Sequence, residues 1–165
     1  MTPKERELAH VPRWVIVRTI RNQSVAEHAF FMTRYAIDIA STMGLDIRAE
    51  FIDYCLRHDD DELHTGDIPA PYKKILDWHN KKPELLWEMT GEEWMVLKAA
   101  DLLEGILFLI DEELMGNKTV GMVCNSLCEE LEYLTRKYNT TGGEVLSSWL
   151  WKRIDTHRTY RGRLK

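Results

Sequence analysis

Two stretches of this chain carry full helix-start signals, and they constrain its fold more than any other feature. Ser24-Val25-Ala26-Glu27 and Thr90-Gly91-Glu92-Glu93 each place a hydroxyl residue three positions ahead of a glutamate. In such a capping box the hydroxyl accepts from the backbone N–H at the glutamate, and the glutamate reaches back. Behind the first box, Val25, Phe31, Met32, Tyr35, Ile39 and Met43 recur close to helical spacing, and Gly44 stands where a C-terminal cap belongs. Spacing predicts further helices over about 46–63, 72–81, 91–115, 119–138 and 144–158, separated by Thr65–Pro71, Gly116-Asn117 and Gly142-Gly143. No segment alternates with the period of a strand. The expected fold is all-α, a compact helical bundle of about five to seven helices.

Composition sets the remaining bounds. At 165 residues, 44 % hydrophobic and 30 % charged, the chain suits a single domain over 1–165 with a real core, and global disorder is excluded. No apolar run approaches the roughly 20 residues of a membrane helix. Met1–His10 is polar and charged, unlike a signal sequence. The three cysteines, Cys55, Cys124 and Cys128, are an odd set that suits a reducing compartment, so a cytoplasmic location is expected. Cys124 and Cys128 read as core residues. A net charge of −5 argues against coating a nucleic-acid polymer through bulk charge. The charge is uneven, however: Lys152, Arg153, Arg158, Arg161, Arg163 and Lys165 against Asp155 give 152–165 a charge of +5. That basic tail suits an anionic ligand or a neighbouring subunit, and equally a solvated helix end complementing the dipole.

The functional signal lies in ionisable residues on apolar helix faces. His28 falls on the stripe of Val25, Met32 and Tyr35; His58 follows Cys55 by three and Phe51 by seven, with Asp59 beside it. Asp101 interrupts Val96-Leu97-Lys98-Ala99-Ala100-Asp101-Leu102-Leu103, where a lone ionised carboxylate costs several kcal/mol unless paired or ligating. Singly, each has a plain reading: a hydrogen-bonded core histidine, a chance dipeptide, an aspartate paired with arginine. Together, in the order His, His-Asp, Asp on successive helices, they read as a metal site. Two imidazoles and two carboxylates suit Mn²⁺, Fe²⁺, Co²⁺, Zn²⁺ or Mg²⁺.

His28, His58-Asp59 and Asp101 follow the H…HD…D signature, and by it the chain resembles the HD-domain metal-dependent phosphohydrolases. The resemblance implies an all-α HD-domain bundle that hydrolyses phosphate esters at one or more divalent ions (zinc, cobalt, manganese or magnesium). Arg13-Trp14 ahead of Ser24-Val25-Ala26-Glu27-His28, and His58-Asp59-Asp60-Asp61-Glu62 leading into Thr65-Gly66-Asp67-Ile68-Pro69, are similar to the bacterial 5′-deoxynucleotidase branch. Arg13-Trp14-Val15-Ile16-Val17-Arg18-Thr19, the short chain and Lys73 are still more similar to the phage dATP triphosphohydrolase branch. That branch implies conversion of dATP to deoxyadenosine and triphosphate, in the host cytoplasm of a phage that uses 2-aminoadenine. The alternatives are a nucleotidase acting on deoxynucleoside monophosphates and a metal-bound nucleotide sensor without turnover.

The resemblance also implies roles. His28, His58, Asp59 and Asp101 are the metal ligands. Glu62, one turn after His58, takes the acid/base role. Asp67 holds a second metal or a water at the substrate; spacing alone makes it a turn residue. Arg13 and Lys73 bind phosphate, with Arg18 among the cations near the site segments. Trp14 offers a flat face for sugar or base, and Ile16 lies beside the adenine edge. The implied partners are a deoxynucleotide substrate and further copies of the chain, in a dimer or hexamer, with no membrane and no nucleic-acid polymer.

Overall fold

The structure is a computed structural model that describes residues 3–69, 72, 88–138 and 143–162. A 3-10 segment, Pro3–His10, precedes helices α1 (Val25–Thr42), α2 (Ala49–Arg57), the single turn α3 (Glu62–Thr65) and α4 (Gly91–Leu114). A 3-10 turn, Lys118–Val120, then leads into α5 (Gly121–Lys137) and α6 (Gly143–Gly162). Among the described residues there is no strand, only an isolated antiparallel bridge between Pro12 and Ser24. The all-α expectation holds. No helix among the described residues is long and apolar enough to cross a membrane.

Both capping signals work at the predicted places. Thr90 Oγ1 accepts from Glu93 N, and Glu93 Oε2 accepts from Thr90 N. At α1 the Ser24 half forms, while Glu27 turns its carboxylate to Arg21 Nη1 at 2.6 Å. Gly44, at φ +68°, closes α1: Leu45 N–H reaches Ala40 O, and Gly44 N–H reaches Ser41 O. That left-handed position is where glycine escapes the Cβ clash.

α4 is the axis of the fold. It packs on α1, α5 and α6, and Leu103, Ile106, Leu109 and Ile110 have no exposed surface. A helix apolar nearly all round must lie at the centre. Its buried carboxylates therefore each need a partner. Near its start, Glu93 takes the Arg48 guanidinium at 2.7 Å. Near its end, Glu112 accepts from Ile20 N (2.5 Å), Arg21 N (2.9 Å) and Asn117 Nδ2 (2.9 Å). Burial pushes the Glu112 carboxyl up, and those donors outweigh it, so its pKa lies below the ordinary value. The effect is to staple the 11–24 segment across α4. Arg13 N–H on Gln23 O and Val25 N–H on Val11 O close that segment's base.

The structure corrects one sequence expectation and refines two others. The helix predicted over 46–63 splits into α2 and α3. Asp59, Asp60 and Asp61 put negative charge against the carbonyl end of α2 and favour local turns over helix. The chain there tightens to Asp60 N→Arg57 O and Glu62 N→Asp59 O. Up to Gly162 the basic segment 152–165 is the last part of α6, the helix-end alternative, in a helix that runs past 158 and is anchored by Leu146, Leu150 and Ile154 in the core. There Arg153 lies over the Tyr35 ring at 5.7 Å, and His157 and Arg161 meet Asp111 at 2.9 and 3.4 Å. Finally, Cys124 is buried but Cys128 only half-buried; all three cysteines are free thiols. The helix predicted over 72–81 lies, apart from Tyr72, outside the described residues.

Candidate active site

Three elements meet at one buried point. α1 brings His28, the turn after α2 brings His58 and Asp59, and the middle of α4 brings Asp101. One ligand atom each from His28, His58 and Asp101 lies within 4.8 Å of the others. The two rings stand 5.4 Å apart, centroid to centroid, tilted by 55°. Asp59 Oδ2 sits against both rings, 3.0 Å from His58 Nε2 and 3.9 Å from His28 Nε2.

Partners on the far side of each ring set its tautomer. His58 Nδ1 is 2.9 Å from Cys55 O, and a carbonyl can only accept, so Nδ1 carries the hydrogen. His28 Nδ1 is 2.6 Å from Glu104 Oε2, which makes it the donor there too. Both Nε2 atoms thereby face the same space, as outer partners commonly arrange for metal-ligating histidines. His28 Nε2 is fully buried with no hydrogen bond; Asp101 Oδ1 lies 3.4 Å away, outside good geometry. The donor set fits a divalent cation.

The local field also favours positive charge. Burial and Arg13 oppose a charged His28 ring, yet Asp101 and Glu104 outweigh them and raise its pKa to about 9. Burial opposes the Asp101 charge as well. Lys98 Nζ, 3.2 Å away, and His28 nevertheless hold that carboxyl well below the usual range.

The other expected residues fall into three groups. Glu62, 1 % exposed, opens α3 directly after the His58-Asp59 turn. Arg13 is half-buried at the site's edge, 3.5 Å from Glu104 Oε2, with a buried Nη1 that has no hydrogen-bond partner. Trp14 carries the one positive φ (64°) of a non-glycine among the described residues, its N–H on Asp67 Oδ2 at 2.8 Å. Its ring stacks on Phe108, with centroids 5.7 Å apart. Asp67 thus has one oxygen occupied in holding the Trp14 backbone. Ile16 is 62 % exposed and Arg18 is exposed, its carbonyl accepting from Asn117 Nδ2. Lys73 lies outside the described residues.

Sequence reasoning missed Glu104 and Gln23. Glu104 interrupts Leu102-Leu103-Glu104-Gly105-Ile106 as plainly as Asp101 interrupts its own run, and that signal was available. Gln23 has none: only the closure of the 11–24 segment buries it. A cavity of about 470 Å³ touches Glu104 and Phe108 and is otherwise lined by residues such as Tyr35, Asp111, His157 and Arg161; His58 and Asp101 do not line it.

An all-α bundle that gathers His, His-Asp and Asp from three successive segments onto one point has the architecture of an HD-domain hydrolase. The chain belongs to the HD-domain family, whose model matches residues 6–90. It is 32 % identical over 130 residues to the dATP triphosphohydrolase of Salmonella phage PMBT28, covering 67 % of each chain. It is 25 % identical over 131 residues to the 5′-deoxynucleotidase YfbR of Escherichia coli O127:H6, covering 75 % of this chain and 66 % of that one. It thus spans about two thirds of these relatives' length. In three dimensions it resembles the HD phosphohydrolase DatZ of cyanophage S-2L, solved with dA and one catalytic Zn²⁺ ion. That match has a TM-score of 0.75 at 23 % identity, over 94 % of this chain and 97 % of that one. The family model ends before Asp101, which α4 alone brings to the site.

Proposed function

We propose that this protein is a metal-dependent deoxynucleotide phosphohydrolase that converts dATP and water to deoxyadenosine and triphosphate. The observation that carries the reading is the convergence of two Nε2 atoms and the Asp101 carboxylate on one buried point, with Arg13 at its edge. His28, His58, Asp59 and Asp101 would hold a divalent ion. Such an ion supplies Lewis acidity to a phosphoryl oxygen and to an attacking water.

The protein's own groups do the rest. Water attacks the α-phosphorus, the bond from phosphorus to O5′ breaks, and O5′ takes up a proton as deoxyadenosine leaves. Glu62, a buried carboxylate four residues after His58 in the chain, is our candidate to move that proton. The Arg13 guanidinium at the site's edge suits a phosphoryl oxygen, for which its fork is well shaped. Lys73 is assigned to the phosphates by resemblance. Trp14, held at a fixed backbone angle by Asp67, provides the surface beside the nucleoside, and Ile16, free of the core, lies at the base edge. Further copies of the chain in a dimer or hexamer belong to this reading, and light scattering on the purified protein reads their number.

A nucleotidase is the second reading, favoured by the likeness to 5′-deoxynucleotidase YfbR. Both reactions attack the α-phosphorus, so the products decide. Metal-loaded protein is incubated with dATP, dAMP, dGTP and the 2-aminoadenine triphosphate. Intact triphosphate with deoxyadenosine from dATP supports the proposal. Phosphate released from dAMP alone replaces it with the nucleotidase. A metal-bound protein that turns over none of them is a sensor.

A further inference from the structure

Four side chains link Trp14, the nucleoside platform of the proposed function, to the candidate metal ligand His28 without a break. Trp14 Nε1–H donates to Gln23 Oε1 at 2.7 Å, Gln23 Nε2–H donates to Glu104 Oε1 at 2.6 Å, and Glu104 Oε2 accepts from His28 Nδ1–H at 2.6 Å. Gln23, Glu104 and His28 are 1 %, 4 % and 0 % exposed, so water has no access to replace these bonds.

The chain of bonds has only one workable direction. Indole is a donor and never an acceptor. It therefore turns the Gln23 oxygen toward Trp14 and the Gln23 amide hydrogens toward Glu104. A carboxylate accepts at both oxygens, so His28 must donate from Nδ1, which leaves Nε2 as the nitrogen that a cation can take in place of a proton. Reversing Gln23 or His28 sets like against like, donor on donor or acceptor on acceptor, in a buried place where an unmade hydrogen bond is most costly.

The Trp14 end is also fixed in position. Its ring stacks on Phe108, and its Cη2 edge lies near the bare backbone of Gly105. A Cβ at 105 would come within 3.1 Å of Leu127 Cδ1 and 3.5 Å of Trp14 Cη2. Glu104 and Gly105, adjacent on α4, thus hold the metal-side ring and the substrate-side ring respectively.

We propose that Gln23 and Glu104 are positioning residues that couple Trp14 to His28, so that occupancy of the metal site is felt at the nucleoside platform and the direction of the relay keeps His28 Nε2 available. The inference rests on reading His28 as a metal ligand. A cation at Nε2 polarises the imidazole, strengthens the Nδ1–H bond to Glu104 and, through Gln23, alters the Trp14 indole bond.

The test uses zinc as the probe and two readouts besides turnover: zinc affinity by chelator competition, and the Trp14 Nε1–H resonance. The latter is picked out among six tryptophans by its loss in Trp14→Phe. Glu104→Gln keeps the shape but gives the residue one acceptor and one donor, so the direction fails at Gln23, at Trp14 or at His28, where an amide donor facing Nδ1 moves the hydrogen to Nε2. Zinc affinity is expected to fall about 10- to 100-fold. Adding Trp14→Phe removes the terminal donor, lets Gln23 turn over, and is expected to restore affinity in the double variant to within about 3-fold of Trp14→Phe alone. Zinc is expected to shift the Trp14 resonance in the unaltered protein and not in Gln23→Leu, with Gln23→Met as the closer-shaped replacement if that variant does not fold.

Failure of the relay and failure of the site are distinguishable. If the unaltered chain binds no zinc, or Asp101→Ala binds it as tightly, the site itself is wrong and the relay falls with it. If zinc binds through Asp101 but Glu104→Gln binds it as well as the unaltered protein, the relay alone is refuted. A double variant as weak as Glu104→Gln, or a Trp14 resonance that zinc does not move, refutes it too.

Discussion

Asp101 is a charge in the middle of the most buried helix, kept ionised by Lys98 and His28. Replacing it by alanine removes a ligand oxygen and leaves the Lys98 ammonium beside the two imidazoles. Asp101→Ala is expected to lower both metal affinity and activity by more than about 100-fold, beyond what loss of an outer partner costs. Metal analysis of the purified variant beside its turnover number checks this; full metal content with full activity would remove Asp101 from the ligand set. Ile16 makes a second case. Its exposure of 62 % frees it from any core role, so its bulk is available to exclude a 2-amino group. Ile16→Ala is expected to raise kcat/KM for the 2-aminoadenine triphosphate relative to dATP by about 10-fold or more, with little change in thermal stability. An unchanged ratio rules that role out. At this scale the sequence was informative wherever a charge interrupted an apolar run, which is why His28, His58 and Asp101 were legible. The relay residues differ. Glu104 carried the same signal and was passed over, whereas the burial of Gln23 depends on long-range closure by the Val11 and Arg13 backbone, which no local pattern encodes.

Among the helices, the contrast between α1 and the α2–α3 region shows what local sequence can specify. Ser24 and Gly44 each act through their own backbone, so the ends of α1 are where the pattern puts them. The break after Arg57 depends on the Asp59-Asp60-Asp61 run and on the site it borders, and periodicity alone reads straight through it. The staple at Glu112 is an element-level device of the same long-range kind. Glu112→Ala leaves two backbone donors and Asn117 without their carboxylate in a buried place. A loss of at least about 2 kcal/mol in urea unfolding is expected, with the 11–24 segment opening first in hydrogen exchange. The pH dependence follows from the sign of the shift. The folded carboxyl titrates below the 4.5 of the unfolded chain, so the stabilisation is present above that value and lost as pH falls through the lower, folded one. The stability difference between the unaltered protein and Glu112→Ala is therefore expected to be constant near neutral pH and to shrink on acidification below 4.5. A difference that grows in acid would mean that the carboxylate is not what those donors need.

On the scale of the whole molecule, the candidate ligands are notable for their origins. His28, His58 and Asp101 come from α1, the turn after α2 and α4, three separate segments of the chain. A cation bound by all three would cross-link the first half of the chain to its central helix, and only the folded state brings these ligands together. Binding must then stabilise the fold by mass action: about 2.7 kcal/mol when the free metal stands at 100 times its dissociation constant. For a chain of this size that is about 5–10 °C in Tm. The net charge points the same way. Part of the −5 is concentrated beside the two imidazoles as Asp59 and Asp101, whose mutual repulsion a cation relieves. Chelator-stripped protein is thus expected to melt lower by that amount and to recover on adding zinc or manganese, while Asp101→Ala melts at one temperature with or without metal. Scanning calorimetry on the four samples decides it. A metal-loaded protein whose Tm is indifferent to chelation would show that the ion does not bridge these segments, and an Asp101→Ala variant that still gains stability from metal would place the ion elsewhere.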